Sequence, residues 1–116
     1  MEEKAGEVFS IAKDNMPVPG CTISKEVHGG ENGIIYFSLA KNTDISAEIF
    51  PYHKLLIVAE GSLEVYGTNG YRKVLHAGDS VLTSTDIPIG MKTDTGAIYT
   101  EIEIRRSDIM NEAIKA

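Results

Sequence analysis

Residues 46–67 read SAEIFPYHKLLIVAEGSLEVYG, residues 68–70 are Thr-Asn-Gly, and residues 71–91 read YRKVLHAGDSVLTSTDIPIGM. Leu55 to Ala59 is apolar at five consecutive positions. A strand buried on one face would alternate, so this one is expected to be covered on both faces. Gly61 bends the chain, and Leu63, Val65 and Tyr66 continue it to Asn69-Gly70. Asn-Gly supplies two residues that tolerate positive φ, which is a strong short-range hairpin signal. Tyr71–Leu75 returns, Ala77-Gly78-Asp79 turns, Val81 and Leu82 form a short strand, and Ser84-Thr85-Asp86 turns again before Ile87–Lys92. This rhythm of strand, glycine turn and strand is that of a small β-barrel.

The same rhythm extends outward. Cys21 to Val27 alternates, Ile34 to Leu39 is apolar, and the segment from His28 to Gly33 between them is a glycine-rich hairpin loop. After a turn at Lys41–Asp44, a strand over Ser46–Phe50 stops at Pro51, and Ala97–Ile104 completes the set. About nine or ten short strands with turns every 8–12 residues indicate a sandwich or barrel. Gly6–Ile11 is read as a short strand or ordered arm, punctuated by Pro17 and Pro19-Gly20. Ser107 or Asp108 can cap a short helix whose stripe is Ile109, Met110, Ala113 and Ile114. One domain over residues 1–116 is expected, with an arm at 1–19, a barrel at 20–105 and a helix at 107–116.

Composition narrows the function classes. Hydrophobic residues make up 42% and charged residues 24% of the 116, an ordinary balance for a globular protein. A net charge of −6, with Arg72-Lys73 and Arg105-Arg106 the only adjacent basic pairs, argues against a nucleic-acid partner, which needs a basic stripe. The single cysteine, Cys21, excludes an intramolecular disulfide and multi-cysteine zinc motifs. No apolar run approaches the ~20 residues of a membrane span, and the acidic N-terminus carries no secretory h-region. A soluble, cytoplasmic chain with no membrane partner is the expectation.

Pro51, the Leu55–Gly61 run ending in Val-Ala-Glu-Gly, the Ala77-Gly78-Asp79 turn and Asp86-Ile87-Pro88 occur together in order and spacing. In these features residues 20–105 resemble the single-domain cupins of the RmlC-like jelly-roll superfamily. The resemblance implies an all-β, double-stranded β-helix barrel with a short C-terminal helix. In metal-binding cupins two histidines on alternate residues of one strand, a carboxylate a few residues later and a third histidine after a proline hold a transition metal with an open position. Here those positions fall on Glu48 and Phe50, near His53, and on Ile89 after Pro88. The resemblance therefore implies a degenerate metal site and no bound cofactor. A divergent site using Glu48, His53 and another carboxylate for a divalent transition metal is the minority alternative.

Glu48 is the sharpest candidate. Facing a barrel lined by Phe50 and Ile89, it would be partly desolvated and able to serve as a general acid/base or to hold a cation. The bland reading is a hydrated mouth residue paired with Lys54 or Lys92. His53 is either a general base or remnant ligand, or an edge residue after a Pro-Tyr turn. His76 and His28 are expected at the surface. In Ala97–Ile104 the isoleucine face is expected to be buried, which puts Glu101 and Glu103 outside; the opposite phase would bring them into an acidic cavity with Glu48. Tyr36, Phe50, Ile89 and Met91, with Glu48 and His53, are the candidate ligand pocket, against a default of plain core packing. Cys21 lacks a neighbour that would activate its thiol.

The leading expectation is a metal-free module that binds a small molecule or plays a structural or regulatory part. One alternative is an isomerase or lyase using Glu48, and His53 with it, as acid/base groups; another is a metal-dependent dioxygenase or hydrolase. The doubly apolar Leu55–Ala59 strand and the N-terminal arm imply a homodimer, and light scattering that shows a monomer at micromolar concentration would overturn it.

Overall fold

The computed structural model describes residues 5–26 and 33–104. The expected loop over residues 28–32 and the C-terminal helix over residues 107–116 lie outside them. Among the described residues there are eight strands and one turn of helix: α1 (Ile11–Asp14), β1 (Thr22–Glu26), β2 (Ile34–Leu39), β3 (Thr43–Glu48), β4 (His53–Gly67), β5 (Arg72–His76), β6 (Ser80–Leu82), β7 (Ile89–Thr93) and β8 (Ala97–Ile104). The strands form a curled antiparallel sheet with the continuous order β1-β2-β8-β4-β7-β3, to which β5 and β6 attach along β4. Among the described residues no helix is long and apolar enough to cross a membrane.

Strand β4 decides the architecture. The bend expected at Gly61 is present, and the chain runs through it as one strand of 15 residues shared by both halves of the barrel. Its first half pairs with β6 and β8, and its second half with β5 and β7. The register slips between Val58 and Glu60, which places a β-bulge at Ala59, and Gly61 follows at φ 80°. A bulge with a left-handed glycine bends a strand and increases its twist, so β4 can turn from one sheet into the other without ending. A Cβ on Gly61 would lie 2.1 Å from the Gly96 carbonyl oxygen of the β7–β8 turn, so the backbones meet here too closely for any other residue.

Alternation along these strands builds the interior. Leu56 and Val58, then Leu63 and Val65 beyond the bulge, join Leu39, Leu75, Ile89, Met91, Ala97 and Tyr99 in one buried cluster. Phe37 stacks on Tyr99 with ring centroids 5.1 Å apart. Burial of side chains this size is worth about 1.5–3 kcal/mol each, which is what makes the register costly to shift. The intervening Leu55 and Ile57 are half-buried and Ala59 is exposed, so the cover on the outer face of the apolar run is only partial.

The N-terminal segment is an arm carrying one helical turn rather than a strand. Ser10 caps that turn by accepting a hydrogen bond from the Lys13 amide at 3.1 Å. The arm lies over the outside of β2: the Ser38 hydroxyl donates to the Asn15 carbonyl, and Phe9 sits 6.2 Å from the Tyr36 ring. The Asn69-Gly70 hairpin also departs from the two-residue form. Only Gly70 has positive φ, and the Asn69 side-chain oxygen instead accepts from the Tyr71 amide at 3.2 Å inside a longer loop.

Candidate functional site

The phase of β8 is the opposite of the one favoured by its isoleucines. Ala97 and Tyr99 face the core, so Glu101 and Glu103 follow them inward, while Ile98 is buried on the outside, bordering a groove with Met16 and Pro17 of the arm. Opposite them on β4, Lys54 pairs in register with Glu103, and Leu56 with Glu101. Each of Lys54 and Glu101 is thus carried inward by the same alternation that buries its apolar neighbours.

The outcome is an ion pair inside the barrel. The Lys54 ammonium lies 3.3 Å from Glu101 Oε1, with side-chain exposures of 9% and 2%. It also lies 3.3 Å from the centroid of the Phe50 ring, a cation–π contact strengthened by the loss of water. A buried carboxylate would be intolerable alone, and the ammonium offsets its desolvation. Burial raises the Glu101 pKa above the ordinary carboxylate range; the Lys54 charge and hydrogen bond oppose this, and the Glu103 charge adds to it. Glu103, half-buried at the barrel end, accepts a hydrogen bond from the Tyr52 hydroxyl at 3.1 Å.

An ammonium has three donors. Among the described residues, Glu101 takes one and the Phe50 face receives another, and no further acceptor reaches the nitrogen. Beside it is a cavity of about 10 Å³ bounded by Phe50, Lys54, Leu56, Thr83, Ser84, Ile89, Met91 and Glu101. That is room for about one water molecule. Deeper in the barrel, the Tyr99 hydroxyl is buried with no hydrogen-bond partner among the described residues, and burial, with the Glu101 charge, holds its pKa well above the ordinary phenol value.

Of the six residues proposed from sequence, Phe50, Ile89 and Met91 border this cavity. Glu48 does not: it is exposed at the end of β3, in register with Ile89. Tyr36 is on the outer face of β2 beneath the arm. His53 points outward from the start of β4, and its Nδ1–H donates to the Thr83 carbonyl at 2.7 Å. No hydrogen bond or ion pair joins Glu48 to His53 among the described residues. His76 is exposed, 3.8 Å from Asp79. Cys21 is exposed.

Sequence reasoning offered Lys54 only as a partner for Glu48 at the barrel mouth and favoured the outside for Glu101. The available signal was spacing: Lys54, Leu56 and Val58 share one parity of β4, and Tyr99 and Glu101 share one parity of β8. A large aromatic in phase with a glutamate marks the inward face as well as an isoleucine does.

A second charged group sits outside, on β4, β5 and β7. Glu64 is gripped by Arg72 Nε at 2.6 Å and Lys92 Nζ at 3.2 Å. Its partial burial works to raise the pKa, but the hydrogen bonds and charges of Arg72 and Lys92 prevail and hold it below the ordinary value. This cluster is open to solvent, and pairs of that kind contribute little to stability.

Comparison with solved structures places the fold. A protein of unknown function from Streptococcus pyogenes superposes with a TM-score of 0.80 at 16% identity, over 88% of this chain and 90% of that one. A cupin conserved barrel domain protein from Leptotrichia buccalis gives 0.76 at 19% identity, over 84% of this chain and 47% of that one. A polyketide cyclase from Streptomyces resistomycificus gives 0.62 at 14% identity, over 71% of this chain and 63% of that one. No protein-family model and no curated protein sequence matches the chain. The chain has the cupin fold, a double-stranded β-helix. Its structural neighbours are of unknown or varied function.

The fold raises the question of a metal, and the described residues at the positions the resemblance points to do not make a donor set for one. Phe50 and Ile89 carry no side-chain donor atom, Glu48 is exposed, and His53 points outward with its Nδ1–H bonded to the Thr83 carbonyl. Among the described residues no group of three or more His, Cys, Asp or Glu side chains is placed to hold an ion.

Proposed function

We propose that the chain is a metal-independent cupin that binds a small polar molecule at the Lys54–Glu101 end of the barrel. The observation that carries this reading is the buried ammonium beside a small cavity, with a donor that no acceptor among the described residues takes up. A buried donor without a partner costs on the order of 1–3 kcal/mol, and a ligand oxygen arriving there recovers it. The ligand accordingly presents a hydrogen-bond acceptor, a carbonyl, carboxylate or hydroxyl oxygen, to Lys54.

The entrance is at Phe50. It stands in the irregular segment between β3 and β4, is half-buried, and covers the ammonium with its ring. A molecule larger than water must move that ring aside. Thermal-shift and calorimetric titration with small carbonyl, carboxylate and polyol compounds tests the reading on the wild type, Lys54→Met and Phe50→Ala. A ligand that binds the wild type is expected to lose at least tenfold in affinity in Lys54→Met and to bind Phe50→Ala as well or better. Equal binding to the wild type and Lys54→Met would place the site elsewhere.

A second reading is favoured by one specific observation, the buried Glu101 carboxyl 3.3 Å from the Lys54 nitrogen, where burial raises the carboxyl pKa. Such a pair can exchange a proton with a bound substrate, in an isomerase or lyase reaction on a small molecule. Glu101, not Glu48 or His53, is then the acid/base group. Glu101→Gln abolishes turnover in that case, whereas it only alters affinity in a pure binding module. That the fold can host an enzyme is illustrated by the cyclase among its neighbours.

A further inference from the structure

We infer that Lys54 is a covalently tethered substitute for a metal ion: its ammonium takes the cationic position inside the barrel, with Glu101 as counter-ion, and thereby keeps a divalent ion out. Three features of the site carry this. The ammonium is within 3.3 Å of both the Glu101 carboxylate and the ring of Phe50. Ile89 borders the same cavity, so residues 50, 89 and 101 converge from the β3–β4 segment, β7 and β8 on the space next to the nitrogen. Finally, the space left free beside the lysine head is only about 10 Å³, room for about one water molecule.

A cation surrounded from three elements by side chains, one of them a carboxylate, is in the electrostatic position of a coordinated metal. The difference lies in the tether and the charge. A lysine brings a single charge that cannot dissociate, and the donors a metal requires are replaced by an aromatic face and an aliphatic chain. Glu101 is accordingly kept for the ammonium, as its only oxygen partner among the described residues. Even if donors were restored at positions 50 and 89, a divalent ion would face the buried ammonium at contact distance in a poorly solvated interior. Like charges so placed oppose each other strongly. This inference is independent of whether the site binds a ligand, and it fails or stands separately from the function proposed above.

The test compares three proteins for binding of Zn²⁺ and Ni²⁺ by calorimetry and elemental analysis: the wild type, Phe50→His/Ile89→His, and Phe50→His/Ile89→His/Lys54→Met. The wild type is expected to bind neither ion stoichiometrically. The triple variant, with Glu101 released from its partner, is expected to bind one equivalent at least about 100-fold more tightly than the double variant, the range expected for removal of a juxtaposed like charge. Equal binding by the double and triple variants, or stoichiometric metal on the wild type, would overturn the inference. So would a folded triple variant that binds no ion. Because the variants could fail to fold, NMR of lysine Nζ in the wild type supplies a second readout. One ammonium should exchange slowly with water and show upfield-shifted methylene protons from the Phe50 ring, and these signals should vanish in Lys54→Met. Their absence from the wild type places the nitrogen outside the barrel and overturns the inference directly.

Discussion

Lys54→Met destabilises the protein by about 3–5 kcal/mol near neutral pH, and adding Glu101→Leu restores most of that loss. The single change leaves a carboxylate buried without its counter-ion, the costly half of a broken ion pair. The double change removes both charges and leaves side chains of similar volume among Leu56, Ile89 and Met91, a replacement that is often neutral or stabilising. Denaturant unfolding of the wild type, both single variants and the double variant gives the coupling. If the two single effects sum to the double, the groups do not interact and the interior pair is wrong.

The pH dependence separates the partners. Burial raises the folded-state pKa of Glu101 above its unfolded value of 4.5, so its contribution is fully present below 4.5 and is lost as pH rises through the raised folded value. Removing Lys54 takes away the charge that opposes this rise. The deficit of Lys54→Met is therefore large near neutral pH and shrinks toward pH 4.5 as Glu101 takes up a proton and becomes neutral. The deficit of Glu101→Leu, which leaves an ammonium unpaired, does not shrink on acidification. A Lys54→Met deficit that is constant or grows toward acid would place Glu101 in solvent.

Gly61→Ala is expected to cost about 3 kcal/mol or more, from two sources. A left-handed backbone costs a residue with a side chain roughly 1–2 kcal/mol, and forced overpacking adds about 1–3 kcal/mol. At Gly61 both apply, because its φ is 80° and an added Cβ would meet the Gly96 carbonyl at 2.1 Å. Displacing Gly96 also disturbs the hydrogen bond from the Ser62 amide to its carbonyl, at 3.2 Å. Gly70→Ala is the control: φ is 89° there, but nothing lies within 4 Å, so only the conformational cost remains. Chemical denaturation of the two variants isolates the steric part. A Gly61→Ala loss no larger than that of Gly70→Ala would mean that β4 and the β7–β8 turn do not approach so closely.

Gly61 also shows how far local sequence reads. A glycine between two apolar runs announces a bend. Whether the strand ends there or passes through a bulge into a second sheet depends on its partners: β8 and β6 on one side, β5 and β7 on the other. Apart from β5, the hairpin neighbour, those partners are distant in sequence. The Asn69-Gly70 turn is similar: the residues marked a hairpin, while the strand register set the longer loop that the Asn69 side chain closes.

The strand–turn rhythm of residues 46–91 by itself determined an all-β barrel, because alternation and glycine turns are local properties of the chain. It determined equally that Phe50 and Ile89 bring no metal donor, since that depends only on residue type. Which face of β8 points inward was beyond it. Ala97, Tyr99, Glu101 and Glu103 on one side compete with Ile98, Thr100, Ile102 and Ile104 on the other, and each set holds apolar bulk. The N-terminal arm resolves the tie by covering the outer face, where Ile98 is buried, which leaves the inner face to Tyr99 and Glu101. Glu101 can remain there only because Lys54, 47 residues away in the chain, arrives on the facing strand with the opposite charge. That pairing is a property of the assembled barrel, and so is the candidate site.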